Sequence, residues 1–333
     1  MNIDYSAFNI RMGIRGIFAI VLAFFLGSLF GQPGVIIAVS TVLITLADFE
    51  GPLTERLKFM GIFTLIGAMV TLAAGIFGMS IWPMVISVIL ITFFCALSLV
   101  FGSRIATFAM FLNVWYIIAQ PVAGSQPLII SPICFILGGI IIMAEIIIIS
   151  TFQKGSPPPD LQRRDPQEKI PDLRALLSLE SPIFRFSIVK ALAVGLSTMA
   201  GWVLIGTHPF WVTYSPLAII KPDLHQTVTS GIQRIAGTIL GGISAVVLTG
   251  IFHTMVMLQI LYITASFFML ATLKVNYTIF ISFMTLVVVI ATQMGGAGFG
   301  SPGLERIIAT GIGVLIAFSV ILFLGFILRR NNK

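Results

Sequence analysis

The chain has 333 residues, of which 58% are hydrophobic and 9% charged, against roughly 25% charged in soluble domains. That deficit excludes a water-soluble globular protein. The formal net charge of +7 comes without a basic patch interleaved with aromatics, so it excludes nucleic acid as a partner. Cys95 and Cys134 lie inside apolar runs and read as buried thiols. The three histidines, His208, His225 and His253, are scattered, so neither a metal site nor any other cofactor is expected.

A helix needs about 20 apolar residues to cross a hydrocarbon core of ~30 Å. Taken in chain order, the first apolar run covers 14–31. It has no small-residue cleavage site and is followed by more of its kind, so it reads as a membrane helix and not a signal peptide. Further runs follow at 33–47, 57–78, 80–101, 104–120 and 127–152. A polar stretch from Gln153 to Ser181 interrupts them, and they resume at 183–205, 209–220, 232–252, 255–273, 275–293 and 303–328. The expectation is an all-α integral membrane protein of about twelve transmembrane helices.

The two sets of runs have matching spacing and predict an internal duplication. Pro33 and Pro209 open equivalent helices. Lys58 and Gly61 align with Arg234 and Gly237, Asp48 with Asp223, and Arg15 with Lys190. The domains expected are a first six-helix repeat over 1–152, a cytoplasmic Pro-rich linker over 153–182, and a second six-helix repeat over 183–333. Six is an even number, so the repeats are parallel, related by a pseudo-twofold axis along the membrane normal.

Loop charges give the orientation. With twelve spans, eighteen of the nineteen Lys and Arg residues fall on the side of the termini and linker, and only Arg306 falls opposite. The protein is therefore expected to be multi-pass in the plasma (inner) membrane, with cytoplasmic N- and C-termini and the lipid bilayer as its first partner. In the linker, Asp172 to Glu180 predicts a short helix with Leu173, Leu176 and Leu177 on one face, suited to the headgroup boundary.

No nucleophile, phosphate-loop or zinc-protease pattern is present, so no enzyme is expected. The second helix of each unit is short, Pro33 to Ala47 and Pro209 to Ile220, and Pro216 interrupts the later one. Paired short segments in the two halves point to a transport site. Three cation pairs recur in equivalent places: Arg15 with Lys190, Lys58 with Arg234, and Arg104 with Lys274. Topological anchoring explains each singly, while their repetition predicts a positive mouth that concentrates small organic anions. Glu145 stands alone within an apolar run, as a candidate proton relay or as an ion-pair partner of Arg104 or Lys190. Glu305 and Arg306 open the last helix on the far side, as a cap, an anchor or an exit gate. The glycines from Gly295 to Gly300 read as an external loop, and Gly237, Gly241 and Gly242 as close helix packing.

One stretch carries a resemblance. It runs from Phe210 and Trp211 through Lys221, Pro222 and Asp223 to Arg234, Gly237, Thr238, Gly241 and Gly242, with Arg306 and Gly313 later. In this order it is similar to the fusaric acid resistance-like membrane family, which includes bacterial aromatic acid exporters and is distantly related to plant malate transporters. The similarity covers about 184–325. The first unit matches weakly, with Lys58, Ile62 and Val35 at the corresponding places. The resemblance implies export or conduction of organic anions, with Arg234 at the cytoplasmic entrance.

Three functional readings follow. The first is a transporter exporting small, aromatic organic anions, with the proton as candidate coupling ion. The second is an anion channel. The third is a non-transporting scaffold or accessory subunit of an export system, in which a homo-oligomer or a further export component would be the partner. The common twelve-helix facilitator fold fits poorly, because its usual longer loops and its acidic-then-basic second loop are poorly matched by the segment from Asp48 to Lys58.

Overall fold

A computed structural model describes residues 4–30, 34–49, 51–120, 127–152, 177–205, 208–295 and 302–330. Among them are twelve α-helices and no strand: α1 Ile10–Phe30, α2 Gly34–Ala47, α3 Leu53–Phe77, α4 Ile81–Leu97, α5 Ser103–Ala119, α6 Ile130–Phe152, α7 Pro182–Leu204, α8 Phe210–Ile219, α9 Leu224–Ile251, α10 Met255–Ala271, α11 Tyr277–Met294 and α12 Pro302–Arg330. Eight are long and apolar enough to cross a membrane. The shorter ones are α2 with 14 residues, α5 and α10 with 17 each, and α8 with 10. Large apolar side chains such as Phe18, Leu65, Trp82, Leu196 and Val247 face outward along the helices. That is the surface a bilayer covers, because lipid tails solvate what water would not.

Helix ends follow the local chemistry. Ser181 caps α7 with Pro182 just inside, and its hydroxyl accepts the Phe184 N–H, as the Ser–Pro start of a helix prescribes. Asp223 caps α9 by accepting the Gln226 N–H at 2.9 Å. This cap corrects a boundary. The apolar run begins at 232, but the helix begins at Leu224, because a capped polar turn extends it. The expected short helix from Asp172 to Glu180 falls largely outside the described residues, and Leu177–Glu180 form turns. The glycine-rich 296–300 also lie outside them.

The packing follows one scheme twice. In the first six helices α1 packs on α2, α2 and α3 on α6, and α5 on α3 and α4. In the second six α7 packs on α8, α8 and α9 on α12, and α11 on α9 and α10. Between the sets, α4 lies against α7 and α1 against α10. Small residues allow the closest approaches. A Cβ on Gly27 would fall 2.0 Å from the Cα of Gly34, and one on Gly201 would fall 2.1 Å from the Pro209 oxygen. Gly237 and Gly241 bring α9 onto α11, where added methyls would stand 2.6 Å from the Thr278 oxygen and 2.2 Å from the Ser282 oxygen. Gly242 faces Ile307 and Gly303 of α12. The motif glycines are therefore packing residues, as small residues at membrane helix crossings are.

Candidate functional site

Pro216 sits inside α8. Its ring removes the donor that would reach back to the Val212 carbonyl. That carbonyl faces Gly313 of α12, where a Cβ would intrude to 2.3 Å. The interrupted helix and the glycine together bring α8 and α12 backbone to backbone. This contact sets Trp211 and Tyr214 of α8 beside Arg306 of α12.

Arg306 is 1% exposed and Arg234 is 2% exposed. The Arg306 guanidinium lies over two rings, 5.5 Å from the Trp211 centroid and 5.3 Å from that of Tyr214, the geometry of a cation–π contact. Its Nη1 donates to the Trp211 main-chain oxygen at 3.4 Å. Arg234 reaches in from α9, close enough for its charge to act on both Arg306 and Tyr214. Among the described residues no carboxylate lies within 4.0 Å of either guanidinium. Among the described residues, Arg234 Nε, Arg306 Nε, Trp211 Nε1, Tyr214 OH and, one turn on from Arg306 in α12, Thr310 Oγ1 are buried without a hydrogen-bond partner. Buried polar groups are almost always satisfied, and the donors among these atoms suit a group that accepts hydrogen bonds.

His208 and Glu305 border the cluster. The His208 ring stacks on Trp211 at 4.2 Å with an 11° interplanar angle, and its Nδ1 lies 2.9 Å from Glu305 Oε2. The sequence reading of Glu305 and Arg306 as a cap, an anchor or a gate misses how far Arg306 turns inward. The available signal was the isolation of Arg306, the one Lys or Arg that a twelve-span reading of the loop charges puts opposite the other eighteen.

The other predicted cations have different surroundings. Arg15 donates through Nη2 to Asp48 Oδ2 and through Nε to Glu145 Oε1, both at 2.8 Å. Arg56 also grips Asp48, with contacts of 2.5 and 3.2 Å. Glu145 therefore pairs with Arg15, not with Arg104 or Lys190 as expected, because α1, which carries Arg15, packs against α6. Lys58, Arg104 and Lys274 are exposed. Arg104 covers the Phe49 ring at 4.7 Å, and Lys274 lines a shallow surface cleft with Arg11. Lys190 is buried, with its Nζ 3.4 Å from the Ile220 oxygen. Arg234 stands in the third turn of α9 rather than at its end, because Asp223 starts that helix early. Thr238 is buried one turn further on. No His, Cys, Asp and Glu group able to hold a metal exists among the described residues.

The fold and this cluster define a multi-pass helical membrane protein with a buried cationic site in its second half. Residues 193–320 match the family described as fusaric acid resistance protein-like. Over that stretch the chain is similar to this family. A relative from Neisseria gonorrhoeae, described as uncharacterized protein ORF2, is 28% identical over 155 residues, 46% of this chain and 36% of the relative. The match thus spans about a third of that relative's length. No solved structure matches.

Proposed function

We propose that this protein moves small organic anions, aromatic carboxylates among them, across the bilayer through the Arg234–Arg306–Trp211–Tyr214 cluster. The observation that carries the reading is the pair of buried guanidinium groups with no carboxylate counter-charge within 4.0 Å among the described residues. An uncompensated charge inside a membrane is costly, and an anion passing between α8, α9 and α12 supplies the compensation. The rings of Trp211 and Tyr214 add a flat apolar wall, which suits an aromatic acid. The family match supports transport as the class of activity.

The layout proposed with it is two parallel six-helix units, 1–152 and 183–333, joined by the linker, with termini and linker on the cytoplasmic side and export as the direction. Equivalent helix pairs pack alike in the two halves, which supports the duplication. The segregation of cations supports the orientation. Glu145 serves as counter-charge to Arg15 within the first unit, and proton coupling is assigned no residue there.

Reconstitution in liposomes tests the proposal. Benzoate efflux is followed with and without a pH gradient, for the wild type and for Arg234→Gln and Arg306→Gln. Saturable flux that both substitutions suppress supports a transporter. A passive current of the same sensitivity indicates a channel. Absence of flux for benzoate and a panel of other organic anions would reject the proposal and leave the scaffold reading.

A further inference from the structure

The two halves of the molecule differ in how they treat one equivalent cation. In the first, Arg15 on α1 is neutralised by Asp48 and Glu145, both at 2.8 Å. Lys190 on α7 stands 175 residues later and is 8% exposed. Its two acidic counterparts at the same interval are gone or turned away. Glu145 corresponds to Val320, an apolar residue packed with Ile219, Ile220 and Ala193. Asp48 corresponds to Asp223, whose carboxylate is spent capping α9. Lys190 is left over the Phe186 ring at 5.5 Å, with the Ile220 main-chain oxygen at 3.4 Å. Among the described residues no carboxylate lies within 4.0 Å of it.

A second ammonium, that of Lys221 in the bend after α8, acts on Lys190 with like charge. Burial pushes the Lys221 amine below the usual lysine range, as desolvation does to any cation. The other titratable group acting on Lys190 is the Cys95 thiol of α4. Two cations near enough to act on each other, with no carboxylate within 4.0 Å of either among the described residues, are a costly arrangement for a membrane protein to keep.

We infer that Lys190 and Lys221 form a second binding site, for a small carboxylate, at the linker-side end of the second unit. The bound carboxylate takes the place that the Glu145 side chain occupies in the first unit. The chemistry of the ligand is set by that internal comparison: the same fold, at the equivalent position, satisfies its cation with carboxylate oxygens. As a waypoint on a transport path the site rests on the function proposed above. As a binding site it does not.

Calorimetric titration of the purified full-length protein in detergent with benzoate, at constant ionic strength, tests this. Size exclusion and circular dichroism check the fold of each variant. The wild type is expected to show two sites. Val320→Glu installs a resident carboxylate beside Lys190 and is expected to abolish one site. Lys190→Gln is expected to weaken the same site at least about ten-fold, a loss of ~1.4 kcal/mol, while Arg306→Gln weakens only the other. If Val320→Glu does not fold, Lys190→Gln decides. A benzoate isotherm unchanged in Lys190→Gln, or no benzoate binding at all, overturns the inference. A single site lost in Lys190→Gln and unmoved by Arg306→Gln upholds it and sinks the arginine cluster instead.

Discussion

Arg306 and Trp211 touch twice: the guanidinium donates to the Trp211 main-chain oxygen at 3.4 Å and lies over the same residue's ring at 5.5 Å. Both contacts fix where the charge sits without neutralising it. The carbonyl is a dipole and the ring a quadrupole, so the guanidinium keeps its capacity for an anion. Replacing it with a neutral amide should reduce benzoate flux about 10- to 100-fold, matching the ~1.5–3 kcal/mol of a hydrogen bond to a charged group. Protein stability should hold or rise, because a buried unpaired charge is removed. Flux assays in liposomes with parallel thermal unfolding of Arg306→Gln check both arms.

Tyr214 separates packing from binding. Its hydroxyl is buried and has no hydrogen-bond partner among the described residues, so Tyr214→Phe deletes that group and keeps the ring. Unfolding should be unchanged or shifted upward by up to ~1 kcal/mol. Benzoate affinity should fall several-fold if the hydroxyl meets the ligand. Calorimetry on the folded variant reads the affinity, and an unaltered isotherm would remove Tyr214 from the site.

The network around Arg15 predicts a different response. Arg15→Gln strands Glu145, which is 3% exposed, without its partner. The expected cost is about 3–5 kcal/mol, the usual consequence of leaving a buried charge alone. Arg15→Gln combined with Glu145→Gln should recover a large part of that loss. Chemical denaturation in micelles across the double-mutant cycle measures the coupling. Additive losses would show that the ion pair is not the structural unit described here.

Glycine positions on α9 separate contact from propensity. Gly241→Ala places a methyl 2.2 Å from the Ser282 oxygen, so it should destabilise by about 1–3 kcal/mol through overpacking. Gly250 is exposed and has nothing within 4 Å of an added Cβ. Gly250→Ala should be neutral or gain up to ~1 kcal/mol from helix propensity. Thermal unfolding of the two variants side by side distinguishes them.

Much of the architecture is legible in the sequence, because the bilayer demands long apolar runs and leaves few other ways to read them. The run starting at 33 and the one starting at 209 correspond to α2 and α8, and the glycines read as packing residues are packing residues. The site is less legible. Arg306 is four residues into α12, where a surface anchor and an inward-facing cation have the same sequence signature. What turns it inward is the meeting of Gly313 with the Val212 carbonyl that Pro216 releases, a contact between residues 101 positions apart. Arg234 is misjudged for a local reason. The polar turn after Asp223 dilutes the apolar run, so the true helix start is hidden and the arginine looks closer to the end than it is.

The meeting of Gly201 with Pro209 has a mechanical consequence. Backbone presses on backbone there, with no side chain between to act as a cushion. At that end α8 cannot slide along α7. A displacement of either helix at this point meets the other's backbone directly. Since α8 bears Trp211 and Tyr214, and α7 bears Lys190, the spacing between those side chains is tied to a backbone joint instead of to a side-chain rotamer.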